Sequence, residues 1–182
     1  MKKLFLFLTL ILTLLQWLSA QEDQIAGKLM YLEFGGPGVI SSINFDSRFR
    51  SNQRLGLGFR LGVGFGIGDV KTVWVDKQWN YTYTEYIKRT YYSIPAGLNY
   101  VLGKPNDVNT FEVGAGVAFL THKVTLYCHD EKKPGQAIGF LTFMYRKIPV
   151  NGGFTFRAGF TPIIGTGGDL FPMGAVGIGY AF

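Results

Sequence analysis

The sequence has little of what small secreted domains commonly use for stability or chemistry. Its 182 residues include one cysteine, Cys128, which excludes an intrachain disulfide, and only two histidines. No segment repeats at a fixed length, so the chain lacks the signature of a repeat architecture. The one long apolar run, Leu4 to Leu15, is too short for a membrane-spanning helix, which needs about 20 apolar residues.

Charge is also sparse and scattered. The chain carries 18 Lys and Arg residues against 12 Asp and Glu residues, for a formal net charge of +6. No basic cluster follows one helix or loop, as nucleic-acid binding would require. The sequence therefore predicts no nucleic-acid partner.

The first twenty residues have the pattern of a targeting segment. Lys2 and Lys3 precede the apolar run, and Leu18-Ser19-Ala20 offers a small residue for cleavage before polar Gln21. This order predicts a secretory signal peptide over residues 1–20. Residues 21–182 are then expected to form a single domain.

What the chain has in abundance is glycine, with 25 residues placed in alternation with bulky apolar ones. From Leu55 to Gly66, the odd positions are large and apolar, while the even ones are glycine apart from Arg60. Successive strand side chains point to opposite faces, so this pattern predicts a strand with one bulky and one small face. A helix here would be glycine-rich all round, and each interior glycine destabilises a helix by about 0.5 to 1 kcal/mol relative to alanine.

The same alternation predicts an all-β chain of seven clear strands and one short one. Pro95 predicts a local bulge or bend, and 137–147 carries apolar residues on both faces, which leaves its orientation open. A hairpin at 35–38 supplies the short strand; the alternative is one long kinked strand over 29–49. The predicted strands are 29–34, 39–49, 55–66, 92–102, 111–119, 137–147, 154–160 and 173–182.

The last strand carries a specific pattern. Val176, Ile178, Tyr180 and Phe182 lie on one face, and alanine and glycine alternate with them. This ending resembles the C-terminal assembly signal of Gram-negative outer-membrane β-barrels. With the Leu55 to Gly66 strand and the signal peptide, the chain resembles the small outer-membrane β-barrel superfamily, the OmpA/OmpX-like porin-family proteins.

The resemblance implies an eight-stranded antiparallel transmembrane up-and-down β-barrel in the cell outer membrane. It also implies insertion by the outer-membrane assembly machinery, contact with outer-membrane lipids and a monomeric state. Short turns at 50–54, 103–109 and 148–153 and longer loops at 67–90, 121–136 and 162–171 match the asymmetry of such barrels.

Charged residues fall on the small face of several strands. An eight-stranded barrel has an interior that side chains fill, so opposite charges there are expected to pair in a network that plugs it. A small-solute channel is the alternative. The predicted network comprises Glu33, Asp46, Arg48, Arg60, Glu112 and Arg157.

The loops offer two candidates for chemistry. Trp74 and Trp79, in the first long loop, are expected in interfacial or hairpin packing, or in a recognition surface for an extracellular partner. The second long loop holds His122, Cys128, His129 and Asp130, but without the spacing of a familiar metal site. We expect a solvated loop, with no metal, no cofactor and no catalytic residue.

Three functions remain open at this level. The first is a non-enzymatic outer-membrane barrel whose loops serve surface interaction or envelope integrity. The second is an outer-membrane lipid-modifying enzyme with its site at the rim. The third is a soluble periplasmic carrier, although such a carrier would place polar rather than glycine residues on its second face.

Overall fold

The structure is a computed structural model and describes residues 25–182 except 77, 80, 125–134 and 166–167. In this part of the chain, no helix is both long and apolar enough to cross a membrane. A single 3-10 turn lies at Gly36–Gly38. The strands are β1 (Lys28–Gly35), β2 (Ser41–Arg48), β3 (Gly56–Asp76), β4 (Tyr81–Gly103), β5 (Asn109–Val124), β6 (Gly135–Lys147), β7 (Gly153–Phe160), β8 (Ile163–Ile164), β9 (Leu170–Phe171) and β10 (Gly174–Ala181).

The eight long strands close into one antiparallel barrel. Each pairs with its neighbour in the chain, the short strands β8 and β9 aside, and β1 pairs with β10 to close the sheet. Following paired residues once around the barrel from Lys147 leads back to β6 at Ala137, ten residues earlier. At about 3.3 Å per residue and about 4.8 Å between strands, this offset gives a strand tilt of about 40°.

The sequence-based prediction of an all-β, eight-stranded antiparallel barrel is confirmed. Residues 29–49 form two strands joined by the turn at Gly36–Gly38, rather than one kinked strand. Two details differ from expectation. Pro95 introduces no bulge, because the β3–β4 register is the same on both sides of it, and the predicted loop 162–171 contains the short pair β8–β9. The predicted signal peptide, 1–20, lies outside the described residues.

Strands β3 and β4 continue beyond the barrel as a two-stranded ribbon. The β2–β3 pairing ends at Ser41 and Phe65, whereas the β3–β4 pairing runs on to Asp76 and Tyr81. The segment 67–90, which the sequence analysis assigns to the first long loop, therefore prolongs these two strands into a hairpin. We call this end of the barrel the loop end, and the opposite end, with the turns at 49–55, 104–108 and 148–152, the turn end.

The two faces of the barrel wall have opposite chemistry. Its outer face is apolar and exposed, as at Leu57 (51 % exposed), Val63 (62 %) and Phe154 (68 %). Its inner face holds charged residues that are buried, with Glu33 and Glu112 at 0 % exposure. The chain is thus inverted relative to a water-soluble domain, which buries its apolar residues.

Candidate functional site: a charged chain inside the barrel

Seven charged side chains meet in the middle of the barrel interior. They come from six strands, because alternate residues of every strand point inward. All are buried. The seven residues are Glu33 on β1, Asp46 and Arg48 on β2, Arg60 on β3, Glu112 on β5, Arg146 on β6 and Arg157 on β7.

These residues form one linear chain in which the sign of the charge alternates, and we call it the charged chain. It begins with an ion pair between Arg48 and Asp46. Asp46 then lies 3.4 Å from Arg146 Nη1, which donates to Glu112 over 2.7 Å. Because each carboxylate serves two arginines, no acid in the chain depends on a single partner.

The second half of the charged chain leads to the opposite wall. Glu112 Oε1 accepts from Arg157 Nη2 at 3.3 Å, and the same Nη2 atom lies 3.4 Å from Glu33 Oε1. Glu33 Oε2 then accepts from Arg60 Nη2 at 2.6 Å. Pairing of this kind is what makes buried charge tolerable, since an isolated buried ion is strongly unfavourable.

Neutral groups bind both ends of the chain. Arg48 donates to the Gly56 carbonyl and to Asn99 Oδ1, each at 2.7 Å. Arg60 donates to Asn44 Oδ1 at 3.0 Å, and its guanidinium carbon lies 5.7 Å from the centre of the Tyr31 ring. The Arg157 guanidinium lies closer to the same ring, at 4.4 Å. Tyr31 therefore lies between two arginines, in the range of cation–π attraction.

The abundance of glycine follows from this filling. Large inward side chains lie directly over glycines of the adjacent strand, where a Cβ atom would have no room. At Gly177, a Cβ would lie 2.9 Å from Arg157 Cγ, and at Gly179 it would lie 2.5 Å from Tyr31 Cβ. Tyr91 lies over Gly66 in the same way, at 2.5 Å from that Cβ position. Glycine makes room for the large residues that fill the interior.

An apolar cluster closes the interior at the loop end. Its buried members come from β4, β5, β6 and β8, and the short β8–β9 pair continues the β7–β10 pair of the wall in the same register, with β8 paired to β6. Thr161, just before β8, is also buried and contacts Met144. The cluster consists of Tyr91, Ala118, Leu120, Ile138, Phe140 and Ile163.

A single arginine connects two turns at the turn end. Arg54, on the turn between β2 and β3, donates to Ile148 O at 2.6 Å and to Pro105 O at 3.0 Å. It also donates to the carbonyls of Lys104 and Asp107. The 104–108 turn is also bonded to the start of β5, where the Asn109 backbone N–H donates to Asp107 Oδ1 at 2.9 Å. This hydrogen bond lowers the pKa of Asp107, and the nearby Lys104 and Arg54 cations act in the same direction.

The structure brings together all six residues of the network expected from the sequence. Arg146 belongs to the same chain, but the sequence did not reveal it, because 137–147 carries bulky apolar residues on both faces. The inward residues of that strand are Ile138, Phe140, Thr142, Met144 and Arg146.

The remaining candidates are separate from the charged chain. Trp74 lies on the β3–β4 ribbon, paired with Tyr83, and Trp79 lies at its tip; both are exposed. Val176 and Ile178 are exposed on the outer face of β10, whose end is tied by Phe182, which exchanges backbone hydrogen bonds with Lys28.

The second long loop is described only in part. His122 Nδ1 lies 3.1 Å from Thr121 Oγ1 at the loop end of β5. Cys128, His129 and Asp130 lie outside the described residues. Among the described ones, no group of three or more His, Cys, Asp or Glu residues could hold a metal ion.

Three comparisons with known proteins returned no match, whether to protein-family models, to curated proteins or to solved structures.

Proposed function

We propose that this chain is an integral outer-membrane β-barrel protein, non-enzymatic and monomeric, whose loops contact partners outside the cell or support envelope integrity. The single observation that carries the proposal is the inverted barrel wall. Its exposed outer face carries aliphatic and aromatic residues, and its interior carries the charged chain. In water such a surface would be an aggregation site, whereas lipid acyl chains solvate it.

The arrangement of aromatic residues on the outer face supports the same proposal. On β4, exposed Tyr92 and Tyr100 lie toward the two ends of the part that belongs to the barrel, with exposed Ile94 and Leu98 between them. Tyr92 and Tyr100 on β4 are eight residues apart, which at a tilt of about 40° spans about 20 Å of barrel height. The expected lipid-facing band is about 25 Å tall and is flanked by aromatic girdles.

The filled interior favours a structural role over conduction. Ion pairs occupy its middle, the apolar cluster covers the loop end, and Arg54 joins two turns at the turn end. The last strand supports insertion by the outer-membrane assembly machinery, because Val176 and Ile178 present the apolar face that such a signal needs. In planar bilayers we expect no steady conductance, and a stable open channel would contradict a plugged interior.

The ribbon and its tryptophans are the part of the chain proposed to face an extracellular partner. Trp74 and Trp79 are 48 % and 77 % exposed on a hairpin that projects past the barrel. Changing both to alanine should leave barrel stability within about 0.5 kcal/mol, since they lie outside the barrel interior. Loss of adhesion to a surface that the wild-type cells bind would support the role of the ribbon.

Spin labels test the membrane proposal directly. In a Cys128→Ser background, single labels at Leu57 and Ile178 should be relaxed by oxygen, which dissolves in lipid, and protected from a water-soluble nickel chelate. A label at Thr142, which is buried inside the barrel, is the matched control and should be protected from both. Strong quenching of the Leu57 label by the nickel chelate would contradict a lipid-facing wall.

One variant distinguishes the proposed non-enzymatic barrel from a lipid-modifying enzyme. His122 is the only histidine among the described residues, and its nearest polar partner is the hydroxyl of Thr121. The His122→Ala variant should leave the lipid A profile of the outer membrane unchanged. A profile that changes with this substitution, at normal levels of the barrel, would favour the enzyme.

A further inference from the structure

The charged chain carries one positive charge that no carboxylate in it balances. It contains four arginines and three carboxylates, and both of its ends are arginines. All seven side chains are buried. A net charge in such an environment is unfavourable unless a counterion compensates it.

Unused hydrogen-bond donors are concentrated at one end of the chain. Arg60 Nε and Nη1, Arg157 Nε and Nη1, and the Tyr31 hydroxyl have no hydrogen-bond partner among the described residues. One acceptor, Glu33 Oε1, also has no hydrogen-bond partner among the described residues, although it lies 3.4 Å from Arg157 Nη2. The three donor-bearing residues also share contacts, since both guanidinium groups lie against the Tyr31 ring.

At the other end of the charged chain, the terminal nitrogens of the arginine have hydrogen-bond partners. Arg48 donates through Nη1 to the Gly56 carbonyl and through Nη2 to Asp46 and Asn99. Both terminal nitrogens of Arg48 thus have partners, and none of its side-chain nitrogens is both buried and unpartnered among the described residues. Four of the five buried guanidinium nitrogens of the charged chain that lack a partner among the described residues therefore belong to Arg60 and Arg157, and the fifth is Arg146 Nε.

We propose that Arg60, Arg157 and Tyr31 form a buried site for a small monovalent anion, such as chloride. Two guanidinium groups and a phenol O–H supply donors and positive charge, which is the chemistry that an anion requires. Water would satisfy the hydrogen bonds but would leave the extra charge uncompensated. Side chains fill the surrounding interior, so a halide suits the site better than a larger oxyanion.

Thermal unfolding in defined salts tests the site. The full chain is refolded into detergent micelles in isethionate buffer, and chloride replaces isethionate at constant ionic strength. A ligand that binds only the folded state raises the Tm, by about 4 °C for each tenfold rise in chloride above its Kd. A wild-type Tm that does not change with chloride would overturn the proposal.

Two matched variants locate the site. Arg60→Met removes donors from the proposed site and should abolish the chloride dependence of the Tm. Arg48→Met removes the same charge from the far end of the charged chain but leaves the donors of Arg60, Arg157 and Tyr31 in place, and should weaken the chloride dependence without abolishing it. The opposite pattern, with dependence lost only in Arg48→Met, would contradict the assignment.

A structural measurement covers the case in which Arg60→Met does not fold. Wild-type protein is refolded and crystallised in bromide, which replaces chloride and scatters anomalously. We expect an anomalous peak within hydrogen-bond distance of Arg60 and Arg157. Water density at that position without an anomalous signal would refute an anion site.

Discussion

Loss of one carboxylate from the middle of the charged chain should destabilise the barrel more than loss of one arginine from its end. Glu112 is buried and accepts from Arg146 at 2.7 Å and from Arg157 at 3.3 Å. The Glu112→Gln variant keeps the size of the side chain but leaves four arginines with two carboxylates. Arg146 then retains only Asp46, at 3.4 Å, as an acidic partner.

The magnitude follows from the cost of an uncompensated buried charge. Removing one partner of a buried ion pair destabilises proteins by about 3–5 kcal/mol, so Glu112→Gln should lower the Tm by roughly 10 °C. Arg60→Met instead leaves three arginines with three carboxylates, and Glu33 retains Arg157 at 3.4 Å. That variant loses the charge-assisted hydrogen bond from Arg60 to Glu33, and we expect a loss of about 2 kcal/mol.

Equilibrium unfolding in urea measures both effects. The variants are refolded into lipid vesicles, and the folded fraction is read from the heat-modifiable migration of the barrel on gels. Each free energy of unfolding is compared with that of the wild-type protein at the same chloride concentration. An Arg60→Met loss equal to or larger than the Glu112→Gln loss would refute the charge-imbalance reasoning.

Three further predictions concern packing and the turns. Gly97→Ala should lower the free energy of unfolding by about 1–3 kcal/mol, because the new Cβ would lie 2.7 Å from a backbone oxygen. Gly139→Ala should be near neutral, because the nearest atom to its Cβ is 3.5 Å away. Equal urea midpoints for the two variants would contradict this. Arg54→Ala should lower the free energy of unfolding by about 2 kcal/mol and speed amide hydrogen exchange in the two turns that Arg54 joins. Unchanged exchange would mean that Arg54 does not hold these turns. The pKa of Asp107 is lower in the folded state than in the unfolded chain, so its contribution to stability is present at neutral pH and is lost as pH falls through the folded-state pKa. The Asp107→Ala variant should therefore lose this part of the acid dependence of stability. Identical pH profiles of the urea midpoint in the variant and the wild-type protein would contradict this.

The sequence was sufficient for the eight long strands and for most of the interior charges. Glycine opposite a bulky residue marks the inner face clearly, as around Arg60 and Arg157. The sequence pattern was not sufficient on β6, because the inner face of that strand carries Phe140 and Met144 as well as Arg146 and therefore resembles the outer face. Alternation distinguishes two faces only when their chemistry differs.

The pairing within the charged chain could not be predicted for another reason. Which arginine meets which acid depends on the stagger of the strands, here ten residues per turn of the barrel, and local sequence does not encode that stagger. Arg54 was missed because it lies in a turn and binds only backbone carbonyls, an interaction with no sequence pattern. The short β8–β9 pair was missed because strands of two residues carry no periodicity.

The placement of large residues over glycines makes certain positions interdependent in evolution. The three atoms nearest to the position of a Cβ at Gly66 all belong to the Tyr91 side chain, the closest at 2.5 Å, so a larger residue at 66 is acceptable only if the residue at 91 becomes smaller. Relatives of this protein should therefore vary at the two positions together, with the sum of their volumes nearly constant. A library that randomises both positions should yield compensated pairs that no series of single substitutions would reach.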